Sequence, residues 1–380
     1  MKGFVFICRY ELKKILSQKT LWVAVIVLLY WSITCGVRTP SGSYAEYLQT
    51  NKTAQLSITG EKIDDEMLEK MYALMQQGTI IESGFDNVDL YVSSFLTRNN
   101  GEFEIPENYG GESALYEARS SWVRSAWRVQ ELTDEEIAYW QNYEENLDTP
   151  FTYSYSHSYK MNISHIDGWF AVHVIVIALC LCTVFSDEFR FRTDQLILSS
   201  NKGKKMLYKA KIISGMSVSL VLTVVALTAR TVAMGVNYGF EGFDAQIQLL
   251  YPTCSLNISV GEAMILLYGV VLAATCLTAC FVMMLSLMAA NGVVALAVPV
   301  GIVMANLLLE SPTNRLAKQI YSYFPVIKIE DTIFTDNLLV SFGAVKFNTV
   351  EFAFVLYFVL AGALFMIGQC YWNRLQAKSK

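Results

Sequence analysis

The chain has few residues whose types and spacing suit bond-making chemistry, and one stretch whose types and spacing suit docking. That stretch is Ser186–Lys211, SDEFRFRTDQLILSSNKGKKMLYKAK, set between two long apolar runs. Glu188, Arg190, Arg192, Thr193 and Asp194 crowd its start, and Gln195, Leu196 and Leu198 follow as a short apolar segment. A hydrophobic knob flanked by charges suits a groove on a soluble partner. The same residues would also suit a juxtamembrane loop held by anionic lipid. No phosphate loop is present. The only Gly-Lys step is Gly203–Lys204, and no glycine stands at the required distance before it. No GxSxG, HExxH or Cys/His metal spacing occurs, and His157, His165 and His173 fall eight residues apart with nothing to bring them together. The acidic runs Asp64–Asp65–Glu66 and Asp134–Glu135–Glu136 read as a solvated face, or as attraction for a cationic substrate.

These residues must be placed by apolar elements. The chain has 380 residues, 53% hydrophobic and 17% charged, with a mean hydropathy of +0.35. Apolar runs alternate with charged ones, which places it in the membrane class. A spanning helix needs about 20 mostly apolar residues. Six segments qualify: 20–38, 168–186, 211–236, 262–289, 292–309 and 351–372. The first has no small-residue cleavage site in Ser32–Thr39 and basic residues on both sides, so it reads as an uncleaved span.

Charge sets the expected orientation. Residues 1–19, the loop 187–210 with Lys211, and the tail 373–380 hold 15 of the 29 basic residues. By the positive-inside rule they are cytoplasmic, with both termini inside. The segment 39–167 holds 22 acidic and 8 basic residues, and is expected outside. It has no cysteine, so it folds without disulfides. The cysteines of the spans read as small buried hydrophobes. Trp22, Trp31, Trp169 and Trp372 lie near span ends, as interface anchors do.

Residues 1–19 read as an amphipathic helix on the inner leaflet. Lys2, Arg9 and Lys13 face one way, with Lys14 nearby, and Phe4, Ile7, Cys8, Leu12 and Ile15 face the other. In the acidic region, helices are expected over 61–77, over 113–131 and from a Thr133/Glu136 capping box through Asn146. The alternation FTYSYSHSYKM from Phe151 to Met161 predicts a strand with an aromatic face. Segment 310–350 is too interrupted to span, and reads as a re-entrant or interfacial helix pair. Pro299 predicts a kink in the fifth span. Arg230 lies 19 residues beyond Lys211, a rise of about 28 Å at helical pitch. That height suits snorkelling to the outer headgroups, or a polar lining of a translocation path, or a pair with an acid outside. Asn291 and Asn306 carry the same alternatives.

An amphipathic helix before the first span, six spans, a charged loop after the second and an interfacial segment before the last together resemble the type-2 ATP-binding-cassette (ABC) exporter permeases. In the family's loop a Glu is followed by a Gly-Thr-Leu-like step, leucines, a small residue or Pro, and basic residues. Glu188, Thr193, Leu196, Leu198, Ser199, Lys204 or Lys205, and Lys209 or Lys211 match in order. Arg192 stands where Gly is frequent, and Ser200–Asn201 where Pro often falls. The resemblance covers most of the chain outside 39–167. It implies an α-helical polytopic membrane protein with six transmembrane helices and a mostly helical extracytoplasmic domain. It implies a permease subunit with no ATP site of its own. Two cytoplasmic ATPase subunits would carry ATP and Mg, and a second permease, identical or related, would complete the channel. Loop 187–205 and the N-terminal helix would take up ATP-driven closure. The acidic domain would gate the exit, contact the cell envelope or receive an amphipathic peptide. Membrane lipid is a further partner and nucleic acid is not. A non-transporting sensor, whose outer domain detects a ligand, is the rival reading.

Overall fold

The computed structural model describes residues 2–35, 42–79, 83–96, 111–193, 201–308, 312, 314–329, 331–343 and 345–375. The protein is mostly helical and has multi-pass membrane character. Four helices are long and apolar enough to cross a membrane: Ile166–Arg190, Lys204–Tyr238, Val260–Ala289 and Thr349–Arg374. A fifth arises if the N-terminal pair, bent by 69°, counts as one span. The expected fifth span is a shorter apolar helix.

The N-terminal pair is α1 (Lys2–Leu16) and α2 (Lys19–Thr34). The acidic domain supplies α3 (Ser43–Ser57), α4 (Asp65–Gln76), α5 (Asp86–Leu96), α6 (Gly111–Val129) and α7 (Asp134–Glu145). Then come α8 (His157–Ser164), α9 (Ile166–Leu181), α10 (Ser186–Arg190), α11 (Asn201–Tyr238), α12 (Val260–Ala289) and α13 (Gly292–Leu308). Two short helices, α14 (Arg315–Ser322) and α15 (Pro325–Lys328), precede an antiparallel hairpin of β1 (Leu339–Phe342) and β2 (Val345–Asn348). The last helix is α16 (Thr349–Arg374).

Helix α12 is the centre of the bundle. It packs against α9, α11, α13 and α16. Its buried Gly261, Ala263, Ala273, Ala274 and Ala279 let neighbouring backbones approach closely, as small residues do between membrane helices. Helix α16 turns a stripe of Ala353, Tyr357 and Ala361 inward at i, i+4 spacing and leaves Phe354, Val355, Phe358 and Val359 uncovered. At Gly215 on α11 an added Cβ would lie 2.5 Å from Met283 Sδ, so a larger residue there would have to displace the Met283 side chain of α12.

In the acidic domain the three expected helices form, as α4, α6 and α7, with α3 and α5 in addition. Asp64 caps α4 by accepting from the Met67 N–H at 3.1 Å, and Gly78 at φ 70° lies just beyond its end. The Thr133/Glu136 capping box is present at the start of α7. Its core joins Ile63, Met67, Met71, Val88, Val92, Leu115 and Phe151. The expected aromatic strand is not formed. Phe151, Tyr153 and Tyr155 do point inward on extended backbone, but their pairing is a single bridge between Lys62 and Thr152. From His157 the chain is helical as α8. The period-two pattern therefore ends at Tyr155, and Tyr159 packs from a helix.

Two other expectations change. Trp169 and Trp372 are fully buried rather than interfacial. Their indoles donate to Ser32 Oγ at 2.8 Å and to the Lys204 carbonyl at 2.9 Å. The segment before α16 holds the expected pair of short helices, and also a β-hairpin that the sequence reading did not anticipate. Pro299 lies inside α13.

Candidate functional site

Of the residues singled out in sequence, Lys14, Glu188 and Thr193 meet at the end of the bundle opposite the acidic domain, here called the basic end. Helix α1 is held against the bundle. It packs along α11, with Glu11 and Ile15 buried against the bundle and Val5, Phe6 and Tyr10 left uncovered. Arg9 and Lys13 are exposed, and the Lys2 side chain lies outside the described residues. Glu11 and Lys14 share a face because they are one turn apart.

That face meets two others. Lys211 on α11 is fully buried, at 0% exposure. Its ammonium donates to Glu11 Oε2 at 2.8 Å, Glu188 Oε1 at 2.8 Å and the Val184 carbonyl at 3.0 Å. All three of its protons are thus used. Lys14 donates to the same Glu188 oxygen at 2.8 Å, and the Thr193 hydroxyl donates to the other, Oε2. Two cations and two carboxylates make a neutral cluster that ties α1, α10 and α11 together. Ser214 Oγ adds a bond to the Cys8 carbonyl at 3.0 Å.

The end of α10 is shaped by backbone geometry. The Thr193 N–H donates to the Glu188 carbonyl at 3.0 Å and the Arg192 N–H to the Phe189 carbonyl at 3.2 Å. This is a Schellman ending, which needs a left-handed residue at its turn. Arg192 is that residue, at φ 57°. Glycine adopts this conformation without strain, so the structure gives a physical reason for a glycine preference at the position Arg192 occupies. The helix end also separates the loop residues by role. Glu188 and Thr193 point into the cluster. Arg190, Phe191 and Arg192 project outward, with the Arg190 guanidinium 5.6 Å from the Phe191 ring centroid. Asp194, Gln195, Leu196 and Leu198 lie outside the described residues.

Neighbouring contacts brace this end. Ser286 Oγ on α12 accepts from the Phe185 and Ser186 N–H groups at 3.2 and 3.0 Å and donates to the Cys182 carbonyl at 2.6 Å. Lys204 Nζ reaches the last carbonyls of α16, at Asn373 (3.1 Å) and Leu375, where a cation is favoured. The sequence carries a signal for Glu11: it is the one acid among residues 1–19.

The three residues grouped as a translocation path do not meet. Asn291 is exposed and caps α13 by accepting from the Val293 N–H at 2.9 Å. Asn306 is half-buried on α13, and its Nδ2 has no partner among the described residues. Arg230 does not snorkel: it is 0% exposed. It donates to Asn162 Oδ1 at 2.9 Å, the Cys35 carbonyl at 2.7 Å, and the Asn162 and Met161 carbonyls at 2.9 and 3.5 Å. Asn162 Nδ2 in turn donates to Tyr268 Oη at 2.9 Å. Arg230 and Asn291 sit near opposite ends of α9, roughly 24 Å apart at helical rise.

Between these ends lies one more polar group. His173 Nε2 is 3.0 Å from Thr223 Oγ1 and 3.2 Å from Thr275 Oγ1. Both hydroxyls also reach carbonyls of their own helices, at 2.7 and 2.9 Å. The imidazole Nε2–H is therefore the donor, and the ring is stacked on Trp169 at 5.0 Å.

The acidic domain is docked onto the segment leading into α16. Trp140 Nε1 donates to the Asn337 carbonyl at 2.6 Å, and Gln130 Oε1 accepts from the Asn337 N–H at 2.8 Å. Glu136 accepts from Arg315 at 2.7 Å and from the Leu339 N–H at 3.1 Å. Burial pushes the Glu136 carboxyl up, but the hydrogen bonds from Thr133, Leu339 and Arg315 outweigh it and hold it below the ordinary carboxylate range. Arg119 is buried and binds Glu144 at 2.6 Å together with the Pro252 and Cys254 carbonyls at 3.0 and 3.1 Å. Among the described residues no cluster of three or more His, Cys, Asp or Glu is placed to hold a metal. No known family profile, curated protein or solved structure matches the chain.

Proposed function

We propose that this chain is the permease subunit of an ATP-driven exporter of the type-2 ABC kind, moving an amphipathic peptide, lipid or drug outward by alternating access. The observation that carries the reading is the buried Glu11–Lys211–Glu188–Lys14 cluster. It makes the N-terminal helix, the start of the charged loop and the third span one mechanical unit. A push on the exposed Arg190–Phe191–Arg192 surface is delivered to α1 and α11 together. In this reading the basic end faces the cytoplasm of a plasma membrane and six segments span, α2 and α13 among them. The acidic domain lies outside. Two ATPase subunits bind ATP and Mg, and a second permease completes the channel.

The test follows from the split within the loop. Glu188 is part of the fold, so its mutation confounds coupling with stability. Arg190 and Phe191 face outward. The double variant Arg190→Glu/Phe191→Ala should reach the membrane at wild-type levels. Its recovery of a co-expressed ATPase subunit, and the ATPase stimulation, should fall about tenfold, the scale of one lost anchor at an interface. Unchanged transport and recovery in this variant would sink the reading. A sensor is the rival, favoured by the docking of the acidic domain onto the segment entering α16. Recovery of a kinase, with no ATPase, from affinity-tagged full-length protein would select it.

A further inference from the structure

Helix α14 carries an apolar face that the described residues leave uncovered. Leu316, Gln319, Ile320 and Tyr323 recur at helical spacing. No residue of the helix is buried, and Leu316 and Ile320 are 70% and 69% exposed. A helix this short is marginal in water by itself, so the face calls for a cover. Beside it lies an apolar groove of about 490 Å³. Leu316 and Ile320 line it from α14, Phe352, Leu356 and Leu360 from α16, and Leu277 from α12. Phe352 also meets the rings of Tyr323 and Phe342 at 5.1 and 5.9 Å. Aromatic residues thus gather where α16 begins, as they do at a membrane interface. Among the described residues no charged side chain lines the groove. Gln319, one of its few polar residues, has its amide on the Leu339 carbonyl at 3.5 Å.

We propose that this groove holds one acyl chain of a phospholipid, in the leaflet on the acidic-domain side. Direction and depth select a hydrocarbon chain. The groove follows the i, i+4 stripe Phe352–Leu356–Leu360, so it runs along a span. Leu360 lies 11 residues beyond Thr349, a descent of about 16 Å at helical rise. One leaflet takes half of a hydrocarbon core ~30 Å thick, so the groove is one leaflet deep. The uncharged lining excludes a headgroup or a charged peptide, whose charge would be buried unpaired. The volume excludes a helix of a second copy. A helix about 10 Å wide needs about 900 Å³ over the length of the stripe. The groove is also continuous with other apolar surface of the same span, since Phe354, Val355 and Phe358 are exposed. The lipid is a resident component rather than cargo, and the inference rests on the spans alone, not on the exporter reading. Its consequence reaches the acidic domain. Arg315 of α14 donates to Glu136 at 2.7 Å, and Lys346 lies 3.7 Å from Glu135. A chain in the groove fixes the height of α14, and these pairs carry that height to α7.

The experiment uses full-length protein in phosphatidylcholine nanodiscs containing phosphatidylcholine with a diazirine midway along one acyl chain. The protein is extracted into detergent, washed free of exchangeable lipid and then irradiated. Peptide mass spectrometry locates the label. A chain held in the groove survives the wash and should label residues 316–325 and 352–360. The uncovered Val221, Val224 and Val225 of α11 should carry about tenfold less, because lipid there exchanges freely. Leu360→Trp and Leu316→Trp place bulk in the groove from two exposed positions. Each should lower the retained label about tenfold, with an unchanged melting temperature in lipid-free micelles and unchanged recovery of an ATPase subunit. That last readout keeps this proposal separate from the exporter reading. Equal labelling of the groove and of α11 would mean exchangeable lipid only and would overturn the proposal. So would wild-type labelling in both variants, or no retained label. Loss of a dimer to monomer in Leu316→Trp, with no label in the wild type, would assign the face to a second copy instead.

Discussion

Two basic side chains in the bundle, Lys211 at the basic end and Arg230 at the acidic-domain end, are equally buried and are satisfied in different ways. Lys211 meets two carboxylates and one carbonyl. Arg230 meets carbonyls and the side-chain amide of Asn162. The difference follows from the side chains. An ammonium is a compact, strongly hydrated charge that needs counter-charge when buried, whereas a guanidinium is weakly hydrated and spreads five donors over several dipoles. The first arrangement makes a charge-neutral lock between three helices. The second makes a cationic staple on the ends of α2 and α8 without a bonded acid. A lock of paired charges fails when one member goes, because a partner is left charged and buried. A staple on carbonyls fails more mildly, because neutral groups are left.

The largest effect tests the lock. Lys211→Met leaves Glu11 buried with no cation, and should cost about 3–5 kcal/mol, the scale of a broken buried pair. Glu11→Gln added to it should recover most of that loss, since Glu188 keeps Lys14. Reversible unfolding in mixed micelles measures both. A double variant as unstable as the single would mean that the charges are not the source of the cost.

The staple gives a smaller number. Arg230→Met should cost about 2 kcal/mol, from carbonyls that lose charged donors. Neutralising Asp167, the carboxylate whose charge bears on Arg230, should not rescue it: Asp167→Asn in the same background should change little. If Lys211→Met and Arg230→Met cost the same, carbonyl dipoles would neutralise a buried cation as well as carboxylates do, and the contrast between the two ends would fail.

The same contrast explains what could be read without coordinates. Local signals were legible: the Thr133/Glu136 box, the Gly78 stop, and the apolar runs that became α9, α11, α12 and α16. Each depends on residues within a turn or two of one another. The lock was not legible as such, because Glu11 and Lys211 are 200 positions apart and only packing brings them together. Glu188 and Lys14 were picked out singly for their charge, and their pairing was not. The setting of Arg230 is hidden for a different reason. Its height along the helix follows from its position, but height does not say whether lipid or α2 and α8 lie beside it. The aromatic alternation misled because an extended segment with inward Phe151, Tyr153 and Tyr155 leaves the same pattern as a strand. The β-hairpin before α16 is four residues to a strand, too short for a period to register.

The smallest effect concerns the turn next to the lock. Arg192 holds φ 57° at the Schellman ending of α10, and a non-glycine residue there is strained by about 1–2 kcal/mol. Glycine removes that strain but loses more chain entropy on folding, roughly 0.5–1 kcal/mol. Arg192→Gly should therefore gain a few tenths to about 1 kcal/mol, several-fold less than Lys211→Met costs. The guanidinium is exposed and makes no bond within the described residues, so its removal takes nothing from the lock. Two readouts then separate its roles. Stability should rise slightly, because the backbone relaxes. Recovery of an ATPase partner should fall, because one of the three outward residues is gone. A variant that is both more stable and fully competent would show that the surface above the lock is carried by Arg190 and Phe191 alone. A variant that is less stable would show that Arg192 holds its turn through its side chain, and would extend the lock beyond its two carboxylates.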